Sequence, residues 1–240
     1  MNLSPAGWLT LLLLSSACTR ASPAPRATQT TSVTQPDSAA ASEEDPRRFE
    51  AEIRAFEAND RVKPPPPHGI EFVGSSSIKN WTTVAADFAR LPVFNRGFGG
   101  STLPDVVYYM DRIVLPYHPR LVVLYAGDND LPLGRPPDRL LAEYQSFATQ
   151  LHSREPAARL IYISIKPSPS RRQYLERARE ANRAIKTAIG RDSLATFVDV
   201  FTPMLRTDGQ PRPELFLADS LHMTRAGYLL WRRLLNPHLH

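Results

Sequence analysis

Cysteine is nearly absent: Cys18 is the single one in 240 residues. A lone thiol excludes an intramolecular disulfide framework and any cysteine-built metal site. Lysine is scarce as well. It stands only at Lys63, Lys79, Lys166 and Lys186 among 29 basic residues, so arginine carries most of the net charge of +5. No segment interleaves basic and aromatic residues, which removes the signature of a nucleic-acid partner, and the charge reads as a solvated surface. No internal repeat occurs. His68, His118 and His152 stand apart from one another and from acids at metal spacing, so structural roles are expected for them and no metal or organic cofactor is called for. What remains is ordinary globular material, 42% hydrophobic and 22% charged, enough for one domain with extra segments.

The extra segments lie at the N-terminus. Trp8 to Leu14 is apolar but far too short to span a bilayer as a helix. Ser15-Ser16-Ala17 and then Cys18 follow it, which resembles a bacterial lipoprotein signal peptide whose cleavage exposes a cysteine for lipid. The alternative is an ordinary secretory signal. Residues 1–17 are thus expected to be a signal peptide and Cys18 a lipidation site, anchoring an exported protein in the cell envelope without spanning the membrane. Residues 18–45, rich in Ala, Ser, Thr and Pro, cannot bury a core and read as a tether. Residues 46–240 are left as the folded domain.

Within that domain strand and helix alternate. Phe49, Ile53 and Phe56 mark an amphipathic helix over Pro46 to Asn59. Strands are expected at Ile70–Val73, Val93–Phe94, Leu121–Tyr125, Leu160–Ile165 and Thr196–Val200. Helices are expected at Ile78 to Phe88, Leu103 to Val114, Leu140 to Leu151, Tyr174 to Ile189 and Ala226 to Leu235. This alternation predicts an α/β fold, a three-layer α/β/α sandwich around a five-stranded parallel sheet in the flavodoxin-like order 2-1-3-4-5. Ligands in such folds bind beyond the carboxyl ends of the strands at the switch in strand order. The segments there are Gly74-Ser75-Ser76-Ser77, Asn95-Arg96-Gly97-Phe98-Gly99-Gly100 and Gly127-Asp128-Asn129-Asp130.

These segments carry candidate chemistry. Ser76 follows a strand and opens a helix, where a hydroxyl is a nucleophile if a base takes its proton, and otherwise part of a turn and N-cap. Asp219 and His222 are spaced so that the carboxylate reaches the imidazole Nδ1, as in a catalytic triad; the plainer reading is a loop histidine beside a solvated acid. The N–H groups of Ser76 and Gly100 and the Asn129 amide are candidate donors to an oxyanion. Gly99-Gly100 and Asp128-Asn129-Asp130 also fit a tight turn and a capping loop. Asp128 and Asp130 are a weak candidate pair for a cation. Tyr125 is expected in the core, while Trp81 and Phe98 suit either core or cleft.

Taken together, in this order and at strand ends, the four segments resemble the SGNH (GDSL-like) hydrolase superfamily. Phe72-Val73-Gly74-Ser75-Ser76-Ser77-Ile78 is similar to its first block, with Ser76 as nucleophile and Ser75 where an aspartate is usual. Asn95 to Gly100 is similar to the second block, Gly127 to Asp130 to the third, and Asp219-Ser220-Leu221-His222 to the last. The resemblance implies Ser76, Asp219 and His222 as triad, and Ser76, Gly100 and Asn129 as oxyanion hole. It also implies hydrolysis of small-molecule, lipid or polysaccharide acyl esters through an acyl-enzyme. The rival expectation is a non-catalytic envelope lipoprotein that binds a glycan in the same cleft.

Overall fold

The computed structural model describes residues 45–240; the expected signal peptide, Cys18 and nearly all of the tether lie outside the described residues. Five strands form one sheet: β1 Ile70–Gly74, β2 Val93–Gly97, β3 Leu121–Tyr125, β4 Arg159–Ile163 and β5 Ala195–Val198. The order is β2-β1-β3-β4-β5 and every pairing is parallel, as the alternation predicted. Gly74 is level with Gly97 on one side and Tyr125 on the other. The loops that leave β1, β2 and β3 therefore start at one height, on one edge of the sheet. β1 and β3 are buried along their whole length, as parallel strands covered on both faces must be. Strand β2 outruns the expected Val93–Phe94 because its polar residues find partners: Arg96 pairs with Asp60 at 2.5 Å, and Asn95 bonds the Ile78 carbonyl at 2.7 Å.

Seven α-helices cover the sheet among the described residues: α1 Glu50–Val62, α2 Ser76–Lys79, α3 Val84–Asp87, α4 Leu103–Ile113, α5 Pro137–Arg154, α6 Leu175–Ile189 and α7 Arg225–Leu235. Alternate strand residues separate two cores. Val122 and Leu124 face α1, α4, α5 and α6; Leu121, Val123 and Tyr125 face α2, α3 and α7. Trp81, Phe98 and Tyr125 are all core. The single helix expected over Ile78 to Phe88 is instead two short ones. Apolar residues at steps of three and four suit two separate turns as well as one helix. Thr82 and Thr83 are β-branched and poor helix formers. Asp87 then bonds the Trp81 indole at 2.7 Å and the Thr83 hydroxyl at 2.9 Å, which fixes the bend. None of the described helices is long and apolar enough to cross a membrane.

Candidate active site

Strand β1 turns into α2 at Gly74, whose φ is +133°; a side chain there would bring its Cβ to 1.8 Å from the Tyr125 carbonyl oxygen. Only glycine allows β3 to pass so close. The Ser75 N–H then donates to that same carbonyl at 2.9 Å. Of the three consecutive serines, Ser75 and Ser77 are buried and their hydroxyls have no partner among the described residues. Ser76 alone reaches a histidine: its hydroxyl lies 3.1 Å from His222 Nε2.

His222 is held by a loop organised on one carboxylate. Asp219 Oδ1 accepts the N–H groups of Leu221 and His222, each at 2.9 Å, and Oδ2 accepts from His222 Nδ1 at 2.6 Å. With Nδ1–H committed to the acid, Nε2 is left as the acceptor for the Ser76 hydroxyl. Ser220, between them, takes the left-handed conformation at φ 57° that closes this turn. The Leu221 N–H, followed by the His222 side chain and N–H, pulls the Asp219 carboxyl down to about 2, so it stays an anion at any working pH.

Helix α7, which follows the loop, ties it to the Ser76 turn. Thr224 caps α7 by accepting from the Gly227 N–H. Tyr228 donates its hydroxyl to the Ser77 carbonyl at 3.1 Å, one residue from Ser76. Arg225 forms an ion pair with Asp87, whose carboxyl this guanidinium holds down at about 2. His222 and Ser76, 146 positions apart in sequence, are thus tied through α7, whose Tyr228–Ser77 bond is buried.

The expected oxyanion donors Gly100 and Asn129 lie on the segments after β2 and β3, the two strands that neighbour β1. Gly100 has φ +74°, a side chain there would meet nothing within 4 Å, and Gly100 lines a cleft together with Asn129. Asn129 Nδ2 donates one hydrogen to the Ser101 carbonyl at 3.0 Å, leaving the other free. Buried ion pairs brace Asn129 from both sides. Asp128 pairs with Lys166 at 2.6 Å and Asp130 with Arg135 at 2.9 Å. Burial alone would push the Asp128 carboxyl up, but the Lys166 ammonium and Arg171 guanidinium more than offset this and hold it low. For Asp130 burial prevails over Arg135 and lifts the carboxyl to about 6. Asp130 also accepts the Leu103 N–H at 3.3 Å, at the start of α4. The pair therefore serves ion pairing and capping. Among the described residues no three His, Cys, Asp or Glu side chains gather as metal ligands.

The sequence model of the GDSL-like lipase/acylhydrolase family matches residues 68–230, from just before β1 to within α7. The chain belongs to this family. As a GDSL-family member it is a hydrolase acting on ester bonds. Solved structures agree in fold. A Streptococcus pneumonia protein whose name refers to platelet activating factor superposes with a TM-score of 0.73 at 20% identity, covering 85% of this chain and 100% of its own. A GDSL-like lipase from Bacteroides thetaiotaomicron gives 0.68 at 21% identity, covering 79% and 97%. An acetylxylan esterase from Geobacillus stearothermophilus gives 0.58 at 16%, covering 72% and 94%. No curated protein sequence matches the chain.

One site residue escaped the sequence reading. Arg171, in a 3-10 turn after β4, donates through Nη2 to Asn129 Oδ1 at 2.9 Å and through Nη1 to the Asp128 carbonyl. It thereby fixes which end of the Asn129 amide is the donor end. The Ser170 N–H joins the same turn to the Ser220 carbonyl at 3.0 Å. The only trace in the sequence is a Pro-Ser-Pro-Ser-Arg-Arg segment that reads as a surface turn.

Proposed function

We propose that this GDSL-family hydrolase is a serine esterase that works through an acyl-enzyme on Ser76, and that it is exported and held in the cell envelope by lipid on Cys18. The observation that carries the catalytic reading is the relay from Ser76 Oγ to His222 Nε2 at 3.1 Å and from His222 Nδ1 to Asp219 at 2.6 Å. His222 takes the Ser76 proton as Oγ attacks the ester carbonyl. The resulting oxyanion is received by the Ser76 and Gly100 N–H groups and Asn129 Nδ2. Collapse expels the alcohol, which leaves with the proton from His222. Water then attacks the acyl-enzyme, gives its proton to His222, and releases the carboxylic acid with Ser76 restored. The substrate class is acyl esters of carbohydrates, lipids or small alcohols. The acetylxylan esterase among the structural neighbours supports including acetylated carbohydrate.

Labelling with a fluorophosphonate probe, read beside hydrolysis of 4-nitrophenyl esters, tests the reading. The wild type and the Ser75→Ala and Ser77→Ala variants should label, and Ser76→Ala should not, with its fold intact by circular dichroism. Labelling of Ser76→Ala at a neighbouring serine would overturn the assignment.

A further inference from the structure

Beside the oxyanion donors lies a cleft of about 360 Å³, with Gly100, Asn129, Leu133, Arg48 and Arg171 in its walls. Its charge balance is uneven. Asp105 is paired with Arg48 at 2.5 Å, Asp128 with Lys166, Asp130 with Arg135, and Glu52, which also accepts the Gly99 N–H, with Lys79 at 2.7 Å. Asp219 is committed to His222 and two N–H groups. Among the described residues each of these acids thus has a cation of its own, while Arg171 makes no direct ion pair and shares only the field of Asp128 with Lys166, so two cations face one carboxylate. The two protein acceptors of Arg171 are a carbonyl and an amide oxygen, both uncharged. A guanidinium has five N–H donors, so donors remain for a ligand. Arg171 is half-buried, where a cation loses hydration that neutral acceptors only partly replace.

We infer that the site selects acyl esters bearing a negative charge, a carboxylate or phosphate, a few bonds from the ester carbonyl, with that charge seated on Arg171. The inference rests on the serine-esterase reading above. The distance follows from Asn129. One end of its carboxamide meets the oxyanion and the other end touches Arg171, so a single carboxamide separates the two subsites. A planar guanidinium with donors to spare matches a carboxylate or phosphate in charge and geometry. The charge belongs to either the acyl or the alcohol side of the ester, and the two are separated by experiment.

The full-length protein is assayed on two matched pairs. In one the charge is on the acyl side: 4-nitrophenyl hydrogen succinate against 4-nitrophenyl butyrate. In the other it is on the alcohol side: an O-acetylated uronate against its methyl ester. In at least one pair the anionic member should have a kcat/KM higher by about tenfold or more, as a charge-assisted hydrogen bond provides, and salt should shrink the difference. Arg171→Gln should bring the ratio close to one, and Arg171→Lys should keep part of it. A ratio within each pair cancels any loss from a misoriented Asn129, which strikes both members alike. Ratios at or below one in both pairs, or a ratio unmoved by Arg171→Gln, would overturn the inference and leave the esterase reading standing. Absence of Ser76-dependent turnover of every ester sinks that reading itself.

Discussion

Asn129 has one amide oxygen and two amide hydrogens, and the oxygen and one hydrogen are already committed, to Arg171 and to Ser101. The remaining hydrogen has a fixed direction before any substrate arrives, which is the condition for stabilising charge that develops only in the transition state. Asn129→Ala should therefore lower kcat by about 10²–10³ and leave KM little changed, read from steady-state kinetics on one neutral ester. A raised KM with intact kcat would mean that the amide binds ground-state substrate instead. Asp219 sets the pH behaviour. Its carboxyl is held at about 2, so its contribution to the loop is present above the ordinary carboxylate range and is lost only as pH falls through that value. In the proposed mechanism His222 must accept a proton, so a charged imidazole cannot serve as base. Activity should fall on acidification, and Asp219→Asn should lower kcat across the profile through a misoriented imidazole. A kcat that does not fall at all on acidification would contradict this. The Ser75 hydroxyl, buried without a hydrogen-bond partner among the described residues, should be dispensable for activity.

At the scale of elements, the strands were legible because a parallel sheet buried on both faces needs unbroken apolar runs, and Leu121–Tyr125 is such a run. Each strand-end segment alone also fits a turn or cap, and they were legible through their joint placement after three neighbouring strands. What stayed hidden depends on contacts distant in sequence. The Tyr228–Ser77 bond, the Lys166–Asp128 pair and the Arg171–Asn129 bond join residues 151, 38 and 42 positions apart, and no local spacing announces them. Tyr228→Phe should cost about 1 kcal/mol of stability and, by loosening α7 from the Ser76 turn, reduce kcat more than it raises KM; denaturant titration and kinetics read the two effects separately. Glu71 was concealed by its neighbours. It sits inside the apolar run of β1, fully buried, with no hydrogen-bond partner for either oxygen among the described residues. Burial lifts its carboxyl well above the usual range, with Arg96 opposing and Asp60 adding to the rise. The unfolded chain ionises first as pH rises, so stability falls with rising pH from the ordinary glutamate value upward to the folded one. Glu71→Met keeps the volume and removes the proton. Its advantage over the wild type in urea midpoint should grow as pH rises from about 4.5 to 7 and shrink on acidification. A midpoint difference independent of pH would show that Glu71 ionises alike in both states.

For the whole molecule, the sheet, Ser76, Asp219, His222 and the contacts that tie them together all fall within residues 70–231, and the residues expected to fix the protein's location fall before them. Catalysis and anchoring should therefore separate cleanly. The strand-end site draws on β1, β2, β3 and the loop before α7, and among the described residues its bonds reach back to Asp45, Arg48 and Glu52. A chain starting at Asp45 keeps each of these partners. Residues 18–45 add almost no large apolar side chains that a core would miss. A single acyl chain binds a bilayer only marginally, whereas two or more hold a protein there stably, so lipidation of Cys18 should be visible as partitioning. Expressed in a bacterial host, the full chain should sediment with membranes and carry lipid mass on its N-terminal peptide. The chain from Asp45 should be soluble, with the same kcat and KM on a water-soluble ester. Cys18→Ser should release the full-length protein from the membrane fraction without changing either constant. If the full-length and Cys18→Ser proteins are equally soluble and neither carries lipid, the anchor is absent and the apolar run at Trp8 to Leu14 belongs to a simple secretory signal.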